Sequence, residues 1–145
     1  MSSILSCTLS FVNSKSMEPT IIPRDVILVE KISPIITRDI LKTKAAKEND
    51  IIFFKQPPKL IEYIKEQESK DINSNRRKTK STDLIVKRVK SIKTSNNNGN
   101  IINYYDVRGD NLPYSADSRV FDYLDEKYII GHPILKIFPR LGLLK

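Results

Sequence analysis

Apolar residues in this chain come in short runs rich in Ile, Val, Phe and Tyr, separated by polar turns. Runs of this length and composition favour strands. They predict strands at DVILVEKI (25–32), DIIFFK (50–55), DLIVKRVKSI (83–92), NIINYYDV (100–107) and YIIGHPILKIF (128–138). Pro57-Pro58 ends the second run, because two successive residues lack an amide donor. SNNNGN (95–100) reads as a hairpin turn, since Gly and Asn tolerate positive φ. KLIEYIKEQESK (59–70) carries Leu60, Ile61 and Ile64 at spacings that suit a short helix. NSNRRKTKSTD (73–83) is too polar to bury and reads as a loop. No internal repeat is present. The pattern describes a mostly-β fold in a single domain spanning 1–145, with charged insertions at about 38–49 and 60–83.

Composition narrows the function. A chain of 145 residues buries a core without disulfides. Cys7 is the single cysteine, which excludes an internal disulfide framework and a cysteine-built zinc site. His132 is the single histidine, which limits metal chemistry further. No metal and no cofactor are expected. The net charge of +8 raises three partners: nucleic acid, an anionic membrane face or an acidic protein. The basic residues crowd into KTKAAKE (42–48) and KEQESKDINSNRRKTK (65–80), which hold no aromatic side chain to stack on bases. Nucleic acid is therefore not expected as a partner. No apolar run reaches the roughly 18 residues of a membrane-spanning helix. MSSILSCTLSFV (1–12) lacks the basic start and cleavage site of a secretory signal. It reads either as the stub of a truncated anchor or as an entry strand.

Three stretches carry candidate chemistry. In FVNSKSMEPTII (11–22), Pro19 fixes its own φ and pushes Glu18 out of the helical region, so Ser16 precedes a rigid corner. A serine needs a base to become a nucleophile. His132 lies within an apolar run before Pro133, where a packed or edge histidine is the simpler reading. A lysine base must lose roughly 2–3 pKa units from about 10.4, which takes burial or a neighbouring cation. In LIVKRV (84–89), alternation puts Lys87 on the face of Ile85 and Val89, with Arg88 pointing the other way. A strand-edge lysine snorkelling to solvent fits the same pattern. In RGDNLPYSADSRVFD (108–122), Gly109-Asp110 marks a tight turn. Ser115, Asp117 and Arg119 follow at alternate positions, and in an extended chain they would face one way. An Asp117–Arg119 pair there would brace the loop.

Taken in order, SKSMEPT (14–20), DVILVEK (25–31), NDIIFFK (49–55), IVKRV (85–89) and GDNLPYSADSR (109–119) resemble the type I signal peptidases, membrane-anchored serine proteases with a Ser–Lys dyad. The resemblance implies a signal-peptidase-like β-fold and a set of roles. Ser16 matches the acylated nucleophile and Lys87 its general base. Ser14 matches the hydroxyl that completes the oxyanion hole with the Ser16 amide. Ser115 matches the serine that orients the lysine. Asp117 and Arg119 match the pair that stabilises the site from behind it. The implied partners are preprotein signal peptides, with small residues at the first and third positions before the cleaved bond, and a membrane surface.

The sequence also departs from the family pattern. Arg24 and Asn49 stand where the family has glycine before aspartate, and a Pro-Gly-Asp turn is missing after VKRV. The usual N-terminal anchor is absent or truncated, and the large second β-domain of many bacterial members is absent. These departures motivate an alternative, a catalytically silent relative that binds peptides or a partner peptidase subunit. The compact form, with FKQPP (54–58) and IIGHPILKIFP (129–139), is similar to plastid thylakoidal processing peptidases. That implies a plastid thylakoid membrane, with the mitochondrial inner membrane or a bacterial plasma membrane as alternatives.

Overall fold

The computed structural model describes residues 6–31, 46–71, 73, 80, 83–139 and 141–144. The insertion expected at about 38–49 lies outside the described residues as far as residue 45. The strands are β1 (Ser6–Phe11), β2 (Val26–Lys31), β3 (Ile51–Phe54), β4 (Ile85–Asn97), β5 (Asn100–Arg108), β6 (Leu124–Asp125), β7 (Ile129–Phe138) and β8 (Gly142–Leu143). They form one antiparallel sheet in the order β1-β2-β7-β3-β4-β5-β6, with β8 paired to β7. The chain is mostly β, as its apolar runs predict. Of the stretch 1–12, left open between anchor stub and entry strand, residues 6–11 form β1, and residues 1–5 lie outside the described residues. Helix α1 (Pro58–Lys70) starts at the double proline, where Pro58 needs no intrahelical donor, and buries Leu60. The helix α2 (Ser118–Phe121) was not expected.

The four residues of β3, Ile-Ile-Phe-Phe, are all buried. The physical reason is that the sheet has apolar packing on both of their faces. Ile52 and Phe54 join a cluster with Leu60, Val89, Tyr105 and Val107. Ile51 and Phe53 join a second cluster with Val12, Met17, Ile21, Ile27, Val29 and Val86. Strand alternation thus divides one strand between two cores. β4 does the same, with Val86 in the second cluster and Val89 in the first.

Three strands are launched by one kind of turn. Before β2, the Asp25 amide donates to Ile22 O (3.1 Å), while its carboxylate accepts from the Ile22 amide (2.9 Å). Before β3, Asp50 does the same with Lys47 (3.1 and 2.8 Å). Before β4, Asp83 repeats the arrangement with Lys80 (3.0 Å for both bonds). In the first two turns the residue before the aspartate has positive φ, 77° at Arg24 and 73° at Asn49. This explains the glycine expected at both places, since only glycine adopts that region without a β-carbon penalty. Arg24 and Asn49 keep the turns and accept the strain. The hairpin turn falls at Asn98 and Gly99, both at positive φ, as a two-residue β4–β5 connection requires.

Arg24 is exposed, so its side chain contributes little packing. Arg24→Gly is expected to stabilise the fold by about 0.5–1 kcal/mol, the relief of strain less glycine's added unfolded-state entropy. Asn49→Gly should gain less, because asparagine tolerates this region better. Thermal melting of the two variants against the parent chain checks both the sign and the order.

Candidate active site

Ser16 opens a tight turn. The Glu18 amide donates to Lys15 O (3.2 Å) and the Ile21 amide to Met17 O (2.9 Å). Met17 and Ile21 are fully buried and fasten the turn to the core below it. The Glu18–Pro19 peptide within it is cis. Two strands away in the sequence-distant half of the chain, Lys87 comes off β4 opposite Ile52 of β3. Its Nζ donates to Ser16 Oγ at 2.6 Å. Ser16 is 2% exposed and Lys87 4% exposed, so the contact is sheltered from water. Burial pushes the Lys87 ammonium down from 10.5 to about 8, with the nearby Asp117 charge opposing the shift. Each unit is about 1.4 kcal/mol, so the site disfavours the ammonium by roughly 3–4 kcal/mol.

Ser14 lies beside Ser16. Its Oγ accepts from the Ser16 amide at 3.1 Å. His132 sits elsewhere, on β7 opposite Glu30, and its Nε2 is buried without a hydrogen-bond partner.

Ser115, Asp117 and Arg119 converge, but not by strand alternation. Ser115 ends a 3₁₀ turn (Leu112–Tyr114), Asp117 caps α2, and Arg119 lies inside that helix. The convergence comes from capping: Asp117 Oδ1 accepts from the Arg119 amide (3.2 Å) and from Arg119 Nε (2.9 Å). Asp117 Oδ2 accepts from Arg119 Nη2 (3.0 Å), Ser115 Oγ (2.8 Å) and the Gly109 amide (3.2 Å). The Ser115 hydroxyl therefore points at Asp117. Among the described residues no hydrogen bond joins it to Lys87, and Asp117 alone stands in electrostatic contact with the lysine. Burial of Asp117 pushes its carboxyl up, but the bonds from Arg119, Ser115 and Gly109 outweigh it and hold the group at about 2.

The same loop clamps the Ser16 turn. The Asn111 amide donates to Ser16 O (2.9 Å), and its side-chain amide donates to Lys15 O (3.1 Å). Asp110 accepts from the Thr20 hydroxyl (2.6 Å) and from Arg88 Nε and Nη2 (2.9 Å each). Arg88 also donates to Asn49 O (2.7 Å), tying the turn before β3 into the group. A β-carbon at Gly109 would run into Ser115 Oγ and the Ser16 carbonyl, so this position requires glycine. The sequence does not single out Thr20, and it shows Arg88, Asp110 and Asn111 only as an outward-facing residue and a turn, without these contacts. The signal available was the Gly-Asp-Asn turn itself and the placing of Arg88 opposite Lys87.

A small open cleft leads to the Ser16–Lys87 contact, bounded by Phe11, Val12 and Ser14 on one side and Ile85 and Val86 on the other. β4 pairs with β5 only from Arg88 onward. Along Ile85–Lys87 its second edge has no strand partner among the described residues.

The depressed Asp117 carboxyl links stability to pH. Its folded value of about 2 lies below the usual 3.8, so its contribution is present above about pH 4 and is lost as pH falls through about 2. Asp117→Asn is expected to lower stability at neutral pH and to flatten that acid-dependent loss. Chemical denaturation of both proteins between pH 2 and pH 7 measures it.

A family model described as signal peptidase, peptidase S26, matches residues 2–92. That stretch holds Ser14, Ser16 and Lys87, and the fold brings the 109–119 loop to them from outside it. No match is found among curated proteins. A match over more than half of the chain, on a mostly-β fold, settles the family: this chain belongs to the signal peptidases of peptidase family S26.

Proposed function

We propose that this protein is a serine endopeptidase that removes signal peptides from preproteins at a membrane, using Ser16 and Lys87. The observation that carries the reading is the buried 2.6 Å contact between Lys87 Nζ and Ser16 Oγ. A lysine at about 8 is neutral in roughly one molecule in ten at pH 7, enough to act as a base. In the neutral form Nζ accepts the Ser16 proton as Oγ bonds to the substrate carbonyl carbon. The resulting oxyanion would take the place of Ser14 Oγ at the Ser16 amide, with the Ser14 hydroxyl as its second donor. Such donors contribute about 3–4 kcal/mol each to the transition state. Collapse breaks the peptide bond, and the Lys87 ammonium protonates the leaving amine. Lys87 then takes a proton from water as the water attacks the acyl-enzyme, and Ser16 Oγ leaves with that proton.

The unpaired β4 edge at Ile85–Lys87 and the cleft beside it suit an extended peptide bound by strand addition. The apolar walls at Phe11, Val12 and Val86 leave room for small side chains before the cleaved bond. Ser115, Asp117 and Arg119 hold the loop behind the base. The reading has a membrane side as well. Signal peptidases are generally membrane-associated, and large apolar side chains stand exposed on β1 (Leu9, Phe11), β7 (Ile137) and β8 (Leu143). No helix among the described residues is long and apolar enough to cross a membrane. The compact form favours a plastid thylakoid setting within this reading. The turns at Arg24 and Asn49 keep the geometry that glycine would give, so these departures do not favour a silent relative.

Cleavage of a preprotein carrying small residues at the first and third positions before the bond tests the reading. Ser16→Ala and Lys87→Met are each expected to lower kcat/KM by about 10³-fold or more. Retained activity in either variant would remove the mechanism. The pH profile is expected to rise through about 8, because below that value Lys87 is an ammonium and cannot accept the proton. A profile flat between pH 6 and pH 9 would contradict a lysine base.

A further inference from the structure

Lys136 belongs to neither the Lys87 strand nor the 109–119 loop. It lies on β7, which runs between β2 and β3 in the middle of the sheet. Its Nζ donates to Thr20 O at 2.8 Å. Thr20 stands near the C-terminal end of the turn whose N-terminal end carries Ser16. Carbonyls at such an end lack donors within the turn, and a lysine supplies both a donor and a favourable charge. Among the described residues Lys136 forms no ion pair, so its hydrogen bond to this carbonyl is the polar contact that fixes its head group.

The clamps on the turn then form a complete set. Asn111 holds the Ser16 and Lys15 carbonyls, and Asp110 holds the Thr20 hydroxyl. Both come from one loop and pull from one side. Lys136 grips the Thr20 carbonyl from a different element. Without it, among the described residues, the polar ties from the turn to other elements beyond the Ser16–Lys87 contact all run to the 109–119 loop, and the backbone at Thr20, beside the buried anchors Met17 and Ile21, has more freedom to pivot about that loop. A pivot there would move Ser16 Oγ away from Lys87 while leaving the cleft walls on β1 and β4 in place.

We propose that Lys136 is a positioning residue for Ser16, fixing the far end of the nucleophile turn so that the hydroxyl stays in line with Lys87. The inference rests on Ser16 as nucleophile. A misplacement of about 1 Å at a reacting atom costs on the order of 100-fold in rate, and loss of one of several clamps should cost less.

Steady-state cleavage of the same preprotein by the full chain tests it, with Lys136→Met, Lys136→Arg and the Ser16→Ala reference. Lys136→Met keeps the aliphatic stem and removes the donor. Its kcat is expected to fall about tenfold, with KM within about twofold and the rise of activity through about pH 8 unmoved. Lys136→Arg is expected to restore at least half of the lost kcat. The proposal is overturned if Lys136→Met keeps the parent kcat, if the loss appears in KM, or if the arginine variant is as slow as the methionine one. Should Lys136→Met fail to fold, Lys136→Gln, a shorter neutral donor, is read by the same criteria. A parent chain that cleaves no preprotein would sink the reading of Ser16 rather than this contact. Hydrogen exchange at the Ile21 amide, which closes the turn onto Met17 O, then decides the matter: faster exchange in Lys136→Met supports the clamp, and unchanged exchange removes it.

Discussion

The structure depends on keeping one ammonium group out of water. A lysine on a core-facing strand position is unfavourable as a cation, and that cost is what brings Lys87 down to about 8. The obvious remedy, a carboxylate in direct contact, would stabilise the cation and undo the shift. Asp117 is close enough to oppose the shift, yet it does not pair with Lys87. Its oxygens are occupied by Arg119, Ser115 and the Gly109 amide. Arg119 therefore acts on the lysine at one remove. By neutralising Asp117 it leaves burial as the dominant influence on Lys87. Ser115 fits this arrangement as a hydrogen-bond donor to Asp117.

The second requirement is that a serine and a lysine 71 positions apart in sequence meet at 2.6 Å. β4 supplies a fixed origin for Lys87, since its pairing with β3 at Ile52 lies between two buried clusters. Ser16 has no strand beneath it and relies on clamps. Met17 and Ile21 anchor its turn to the core, and Asn111 and Asp110 anchor it to the loop. Arg88 closes the circuit, because it follows Lys87 in sequence and points to the opposite face. From there it grips Asp110, which grips Thr20. One strand thus delivers Lys87 on one side and braces the Ser16 turn from the other.

Much of this was legible in the sequence because it follows from local rules. Alternation in LIVKRV places Lys87 inward and Arg88 outward with no knowledge of the fold. The double proline marks the start of α1, and Asn98-Gly99 marks the hairpin. The stretch 115–119 shows where a local rule fails. Alternate spacing suggested a strand, but Asp117 is a strong N-cap, and its carboxylate captured the Arg119 amide and began a helix instead. The residues converge by a different route. The contacts of Thr20, Asp110, Asn111 and Lys136 were not legible, because each reaches a distant element. Thr20 to Lys136 spans 116 positions, and no periodicity encodes such a distance.

Arg24 and Asn49 show how a departure from a family pattern is weighed. As letters, two missing glycines suggest a damaged site. As geometry, the pattern asks for positive φ before an aspartate, and both residues supply it. Asp25 and Asp50 close their turns with a backbone bond and a carboxylate bond, and that double closure holds a side-chain-bearing residue in a region it would otherwise avoid. The strain is local, of order 1–2 kcal/mol per residue, and both side chains are exposed. The Asn49 carbonyl still accepts from Arg88, so the link from that turn to the clamp on the Ser16 turn survives the absence of glycine. What the site requires at these positions is a backbone conformation, and this chain meets the requirement at a cost in stability rather than in the geometry around Ser16.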